Sequence, residues 1–499
     1  MTATKVTKAE AGRSFGIVGG LGPLAGADVL FKLLKALHAD SRAGPCDVIF
    51  EQHPFRDPTH SRTATVEQKL YIFDMIRDFE RRGVRTVVLP CFLSHTFIDQ
   101  LQENASLKVV DMIDALVVHV RRCYPSARRI GVLTSDYMRE EKCFERYFQA
   151  PEFEVLHPRA LGGTDCVTTA VYGDEGIRNG NLEGRAVELI REACIDLLAQ
   201  GAEVILPGLT EVALVSGQIA LSVPVTDSNL VYAEHVATGQ YADRARPFKV
   251  GVVGGVGPAA TVDFVQKIVR STPASRDQDH IKLVIEQNPQ IPDRTSNLVG
   301  NGPDPTVALH ATCKKLEAGD ADLIAIPCNT AHAFVERIQP YLNVPILNML
   351  TVTVDHLRRA FPALREVGLL ATSGTIESGV YRKALASHGL KQTTPGNGLQ
   401  ARLMNAIYGP RGVKAGFTKG ECVEDIHAAL NDLIDRDIEV VILGCTELPL
   451  LLPQASFTSH NGRVMRLVDP TEILAKRCVA YARREATVGT VGRMTKIDA

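Results

Sequence analysis

The 499-residue sequence predicts two tandem α/β units, each a mostly parallel sheet flanked by helices. Three observations lead there. The length exceeds the ~250–300 residues at which a single hydrophobic core stops growing. Phe15-Gly-Ile-Val-Gly-Gly-Leu-Gly-Pro returns as Val250-Gly-Val-Val-Gly-Gly-Val-Gly-Pro, a shift of 251 − 16 = 235 positions. Short β-branched runs bounded by Gly, Pro or Asp alternate with longer stretches of helical period.

The repeat continues at a similar shift. Val48-Ile-Phe-Glu-Gln-His-Pro matches Leu283-Val-Ile-Glu-Gln-Asn-Pro, Leu89-Pro-Cys matches Ile326-Pro-Cys, and Gly131-Val-Leu-Thr matches Gly368-Leu-Leu-Ala. Such a period is too long for a solenoid unit, so duplication of a whole domain is the economical reading. The expected domains are 14–240 and 248–485, joined through the polar segment from Thr238 to Lys249. Within them, Thr86-Val-Val-Leu, Arg129-Ile-Gly-Val-Leu and Val204-Ile-Leu are apolar on both faces, as strands of a parallel sheet covered by helices must be. The stretches from Ala260 to Val269 and from Val423 to Ile434 place apolar residues at i, i+3 and i+4, which marks helices with core-facing sides.

The formal charge of −2 and the absence of long runs of either sign argue against nucleic acid or a membrane surface as partner. Small molecules or other protein surfaces are expected instead. The opening lysines precede no apolar stretch of a signal peptide or anchor, and no run approaches the ~18 apolar residues of a membrane span. Eleven cysteines without a C-x-x-C pair fit reduced thiols rather than disulfides or zinc, so a cytoplasmic protein is expected. The tail from Glu485 to Ala499 carries no readable signal and is expected to be mobile.

Gly255-x-Gly257-x-x-Ala260 follows a strand and opens a helix, with Glu286 on the next strand. That pattern superficially fits a dinucleotide loop and hence a nucleotide-dependent oxidoreductase. Pro258 suits the first helical turn. What the loop supplies in any case is backbone N–H groups for an anion, a substrate carboxylate included. A tight strand-to-helix turn with no ligand fits the first copy at Gly20 to Pro23 equally well.

Cys328 and Cys445 each stand just past an apolar run and before a segment with helical character, where open α/β sheets bind ligands. A helix N-terminus there would favour thiolate. One such cysteine is more often a small buried hydrophobe. Two, each followed by Asn, Thr or Glu side chains able to hold an amino acid, point to chemistry.

The whole second copy resembles the aspartate/glutamate racemase family. The resemblance rests on Gly254-Gly-Val-Gly-Pro, Asn288-Pro-Gln-Ile-Pro-Asp-Arg-Thr, Pro327-Cys-Asn-Thr-Ala-His, Leu369-Leu-Ala-Thr-Ser-Gly-Thr, Ile407-Tyr-Gly-Pro-Arg-Gly-Val-Lys-Ala-Gly and Gly444-Cys-Thr-Glu-Leu-Pro. It implies two pseudosymmetric α/β subdomains per copy with the site between them, and racemisation with neither pyridoxal phosphate nor metal, hence no cofactor. Cys328 and Cys445 would then be the catalytic pair, because inverting an α-carbon takes a base on one face and an acid on the other. By the same resemblance Val256, Gly257, Asn288, Asn329, Thr330, Thr375 and Thr446 are expected to bind the substrate's α-carboxylate and amino group. Arg294 and Lys414 would meet the side-chain carboxylate of aspartate or glutamate, an arginine being able to engage it twice. Glu447 and His332 are expected as supporting residues. His332 has two readings: a group that orients or polarises the Cys328 thiol, or a satisfied structural histidine.

The first copy departs from this pattern. Cys91 and His95 are present, but Phe92 and Leu93 replace Asn329 and Thr330, Leu209 stands where Cys445 does, and Asp136-Tyr137 replaces Gly374-Thr375. Arg62 aligns with Arg294 and Arg178 with Lys414. Copy one is therefore expected to be a non-catalytic scaffold or regulatory domain. It is expected to take the place of a second subunit by intramolecular pairing, unless the chain forms a homo-oligomer. Two readings compete with racemisation of an acidic small-molecule substrate: another reaction of the superfamily, such as maleate cis–trans isomerisation, and a non-enzymatic regulatory protein that binds dicarboxylates.

Overall fold

The computed structural model describes residues 13–39, 46–53, 65–160, 165–239, 241 and 246–484. Arg62 and the tail from Glu485 to Ala499 lie outside them, as do residues 240 and 242–245 of the join. The chain divides into two compact units, Met1–Arg246 and Pro247–Ala499. Among the described residues no helix is long and apolar enough to cross a membrane.

The first unit holds two sheets. One has the strand order Cys46–Glu51, Arg13–Val18, Thr86–Val88, Lys108–Val110, all parallel. The other has Glu154–Leu156, Arg129–Leu133 and Val204–Pro207, again parallel. The second unit repeats both arrangements. Lys282–Gln287, Lys249–Gly254, Leu323–Ala325 and Ile346–Leu347 form its first sheet, and Lys391–Thr393, Glu366–Leu370 and Val440–Leu443 begin its second. A hairpin, Ser456–Thr458 with Val464–Val468, extends that second sheet and contains its antiparallel pairing. In the first unit the corresponding edge is a single parallel bridge, Ile205 to Val225.

Burial explains the strand composition. Val204–Pro207 and Val440–Leu443 are buried at every position, as parallel strands covered on both faces must be. The stretches of helical period become Pro258–Ser271 and Glu421–Asp435, the first opened by its proline, whose missing N–H is not needed there. The segments after the two cysteines are shorter than expected. Thr330–Ala333 is a single tight 3₁₀ turn and Leu448–Leu451 spans four residues, so neither provides the helix dipole invoked above for a thiolate.

Candidate active site of the second unit

Segments leaving the carboxyl ends of five parallel strands, Lys249–Gly254, Lys282–Gln287, Leu323–Ala325, Glu366–Leu370 and Val440–Leu443, meet in the second unit with the segment that carries Tyr408 and Lys414. They enclose a cavity of ≈ 10 Å³ lined by Val256, Arg294, Cys328, Asn329, Thr330, Thr372, Tyr408, Lys414, Cys445, Thr446 and Glu447. A much larger opening of ≈ 1170 Å³, lined by Arg270, Arg359 and Lys476 among others, contains neither cysteine.

Cys328 follows Ile326 and Pro327 at the end of Leu323–Ala325 and is 7% exposed. Its carbonyl accepts a hydrogen bond from His332 Nδ1 at 2.9 Å, while His332 Nε2 accepts the backbone N–H of Met349 at 3.0 Å. Both ring nitrogens are thereby committed to backbone, and burial depresses the imidazole to about 4. His332 is neutral and ties the Cys328 turn to the helix Met349–Ala360. It does not address the thiol, because the i,i+4 argument assumed an α-helix where the chain makes a 3₁₀ turn. His95 makes the same two bonds in the first unit, to the Cys91 carbonyl and from the Met112 N–H.

Asn329 is 1% exposed; its Oδ1 accepts from the Tyr381 hydroxyl at 2.7 Å, and its Nδ2 is buried without a partner. Arg294 is 7% exposed, and its Nη1 donates to the carbonyls of Ile291 and Pro292 at 3.2 and 3.1 Å. Its Nε is also buried and unpartnered. A buried polar group without a partner costs free energy, so two on one cavity mark where a ligand's acceptors belong.

Behind them four hydroxyls join. Thr330 lies 2.7 Å from Thr375 and 3.2 Å from Thr372, Thr372 lies 3.1 Å from Thr375, and Thr295 donates to Thr372 at 3.2 Å. Gly374 permits the packing, since a Cβ there would stand 2.8 Å from the Thr295 backbone. Tyr137 occupies the aligned place in the first unit, one residue into the helix that Ser135 caps as Thr372 caps its counterpart.

The Cys445 loop carries the charges. The thiol donates to Glu447 Oε2 at 3.0 Å, Thr446 Oγ1 donates to the same oxygen at 3.3 Å, and Lys414 Nζ lies 2.6 Å from Oε1. Burial alone would raise the Glu447 carboxyl, yet the Lys414 ammonium and the thiol hold it below the usual range. The Cys445 thiol moves the other way. Burial and then the Glu447 charge push it well above a free cysteine, the reverse of the thiolate expected from a helix N-terminus. Gly257 makes room for this carboxylate: at its φ of +121° a Cβ would stand 2.5 Å from Glu447 Oε1.

Of the residues singled out in the sequence, Val256, Arg294, Cys328, Asn329, Thr330, Lys414, Cys445, Thr446 and Glu447 line the one cavity. Thr375 stands behind Thr330, and Gly257 touches the cavity through Glu447. Asn288 is not brought in. Its amide donates to Thr312 Oγ1 at 3.0 Å and accepts from the Gln290 N–H at 3.2 Å, which closes the turn after its strand. Tyr408 and Thr372 line the cavity but were not singled out. Both sit inside the motifs quoted above. The Tyr408 ring lies 5.2 Å from Lys414 Nζ, and its hydroxyl donates to Asp293 at 3.0 Å.

A family model described as Asp/Glu/hydantoin racemase matches residues 18–236 and again 253–478. The broad-specificity amino-acid racemase of Bacillus subtilis is 28% identical over 237 residues, 46% of this chain and 96% of its own. A glutamate racemase of Lysinibacillus sphaericus is 31% identical over 185 residues, 36% of this chain and 65% of its own. Among solved structures, the aspartate racemase of Picrophilus torridus is 31% identical, with 47% of this chain and 94% of that one covered and a TM-score of 0.42.

Proposed function

This chain belongs to the Asp/Glu/hydantoin racemase family, and from that premise we propose that its second unit interconverts the two hands of aspartate or glutamate without a cofactor. The first unit contributes no such chemistry. The observation that carries this reading is one buried cavity onto which two thiols open together with two unpartnered donors, Arg294 Nε and Asn329 Nδ2.

Two proton transfers make the reaction. For one hand of the substrate, Cys328 as thiolate takes the α-proton while the Cys445 thiol delivers its own to the opposite face; for the other hand the roles exchange. Burial and Glu447 favour the protonated form of Cys445, which suits the donor. Arg294 interacts with Cys328 across the cavity. The electron pair left by the α-proton spreads into the substrate α-carboxylate, toward the Asn329 amide and the threonine hydroxyls. Arg294 Nε is the open donor for the side-chain carboxylate. Lys414, already paired with Glu447, offers its remaining hydrogens. In the first unit Leu209 lines the corresponding cavity and cannot move a proton.

The test is to offer L-aspartate, L-glutamate and maleate side by side in deuterium oxide. The expected result is inversion of one or both amino acids with solvent deuterium at the α-carbon. Conversion of maleate alone would replace this reading with cis–trans isomerisation. Binding of the diacids without conversion of any would leave a regulatory protein.

A further inference from the structure

Asn329 lines the cavity of the second unit with a side chain that is held from behind. The Tyr381 hydroxyl donates to Asn329 Oδ1 at 2.7 Å, and both residues are buried. The Thr353 hydroxyl, buried as well, interacts with the same phenol. Burial pushes that phenol far above its ordinary range, so it keeps its proton and remains a donor. With Oδ1 taken, Nδ2 is the free end of the amide, and among the described residues it has no partner. Three polar side chains gathered in an apolar interior cost free energy unless a ligand uses them.

The first unit supplies the contrast. Lys142 and Gly379 share a left-handed backbone, with φ of +49° and +68°, which fixes the local register at 379 − 142 = 237. By that register Phe144 stands where Tyr381 does, Leu116 where Thr353 does and Phe92 where Asn329 does. All three are buried in one apolar cluster, the rings of Phe92 and Phe144 5.7 Å apart. The unit with no amide to hold has no hydroxyl behind it. We propose that Tyr381 is a positioning residue of the second unit, whose hydroxyl fixes the Asn329 amide so that Nδ2 donates to the substrate α-carboxylate. This rests on the racemase reading of that unit. An amide turned the other way would present Oδ1 to the same carboxylate and repel it. The hydrogen bond to Oδ1 also polarises the amide, which makes its N–H groups better donors as charge grows on the carboxylate.

A double-mutant cycle in the full chain tests it, read as kcat/KM for L-aspartate or L-glutamate, whichever the wild type converts faster. Tyr381→Phe removes one oxygen, and Phe144 occupies the same buried place in the first unit. It is expected to lower kcat/KM roughly tenfold. In an Asn329→Ala background the same change should cost no more than about twofold, because the group through which Tyr381 acts is already gone. Full activity in Tyr381→Phe overturns the proposal. So does an equal loss in the two backgrounds, which is what damage to the fold alone would give. Failure of the racemase reading shows separately, as both amino acids unreacted by the wild type. The cycle is then read as calorimetric affinity for L-aspartate with the same outcomes, and absence of heat from the wild type overturns both.

Discussion

The Cys445 thiol donates to a Glu447 carboxylate oxygen 3.0 Å away, and the other oxygen of that carboxylate holds Lys414. The acid therefore stands beside one thiol rather than between two, and the sites are electrically unequal.

Replacing Glu447 with Gln follows directly. Burial and then the Glu447 charge raise the Cys445 thiol, so removing the charge lowers it and leaves the Lys414 ammonium to favour thiolate further. The pH at which Cys445 becomes reactive to iodoacetamide should fall in a Cys328→Ala background. An unchanged or higher midpoint would show that Glu447 does not act on the thiol.

Single-cysteine variants separate the two faces. Cys328→Ala and Cys445→Ala should each lower racemisation by about 10²–10⁴-fold, the usual worth of a positioned acid or base. The thiol that remains can still exchange the α-proton of one hand without inverting it. Nuclear magnetic resonance in deuterium oxide should therefore show exchange of opposite enantiomers in the two variants. Exchange of both hands in either variant would dispose of the two-thiol scheme.

Arg294→Gln removes the open donor expected to meet the side-chain carboxylate. A hydrogen bond to a charged group contributes about 1.5–3 kcal/mol, so KM for the acidic substrate should rise roughly ten- to a hundredfold. An unmoved KM would remove Arg294 from substrate recognition.

Acid should destabilise the protein through His332. The native ring resists protonation down to about 4, whereas an unfolded histidine takes a proton near 6.5. The folded pKa is the lower one, so stability is intact above about 6.5 and is lost as pH falls toward 4, by up to about 3 kcal/mol. Denaturation midpoints of wild type and His332→Gln across this range should show the steeper decline in wild type. Parallel slopes would mean that His332 is not buried neutral.

Leu209→Cys supplies the missing thiol to the first unit but should not make it a racemase. Phe92 and Leu93 still stand where Asn329 and Thr330 are proposed to hold the substrate, and in a Cys328→Ala background inversion of aspartate should remain at the single-variant level. Recovered activity would mean that the thiol pair suffices.

The fold was readable in the sequence because glycine loops and doubly buried strands are local patterns, and their repetition doubled the signal. The hairpin Ser456–Thr458 and Val464–Val468 was not, since the corresponding edge of the first copy is one parallel bridge, Ile205 to Val225, and the repeat carries no signal for it. In the site, the type and order of Cys328, Arg294, Lys414 and Cys445 were visible as motifs. The partners that set their behaviour were not. Whether Lys414 faces solvent, substrate or Glu447 depends on how loops from two sheets meet, and only coordinates supply that. For Asn288, an asparagine that closes a turn and one that holds a ligand look alike in sequence. Spacing misled for His332, because four positions bring a ring beside a thiol on an α-helix and beside a carbonyl on this 3₁₀ turn.

The threonine cluster has a consequence for mirror-image substrates. In the contacts among Thr330, Thr372 and Thr375 either oxygen can be the donor. The hydroxyl hydrogens can thus reverse their sense of circulation while every heavy atom stays in place. Such a cradle can present hydroxyl donors to the carboxylate of either hand without moving the backbone, while in the proposed scheme handedness is set by which thiol delivers the proton.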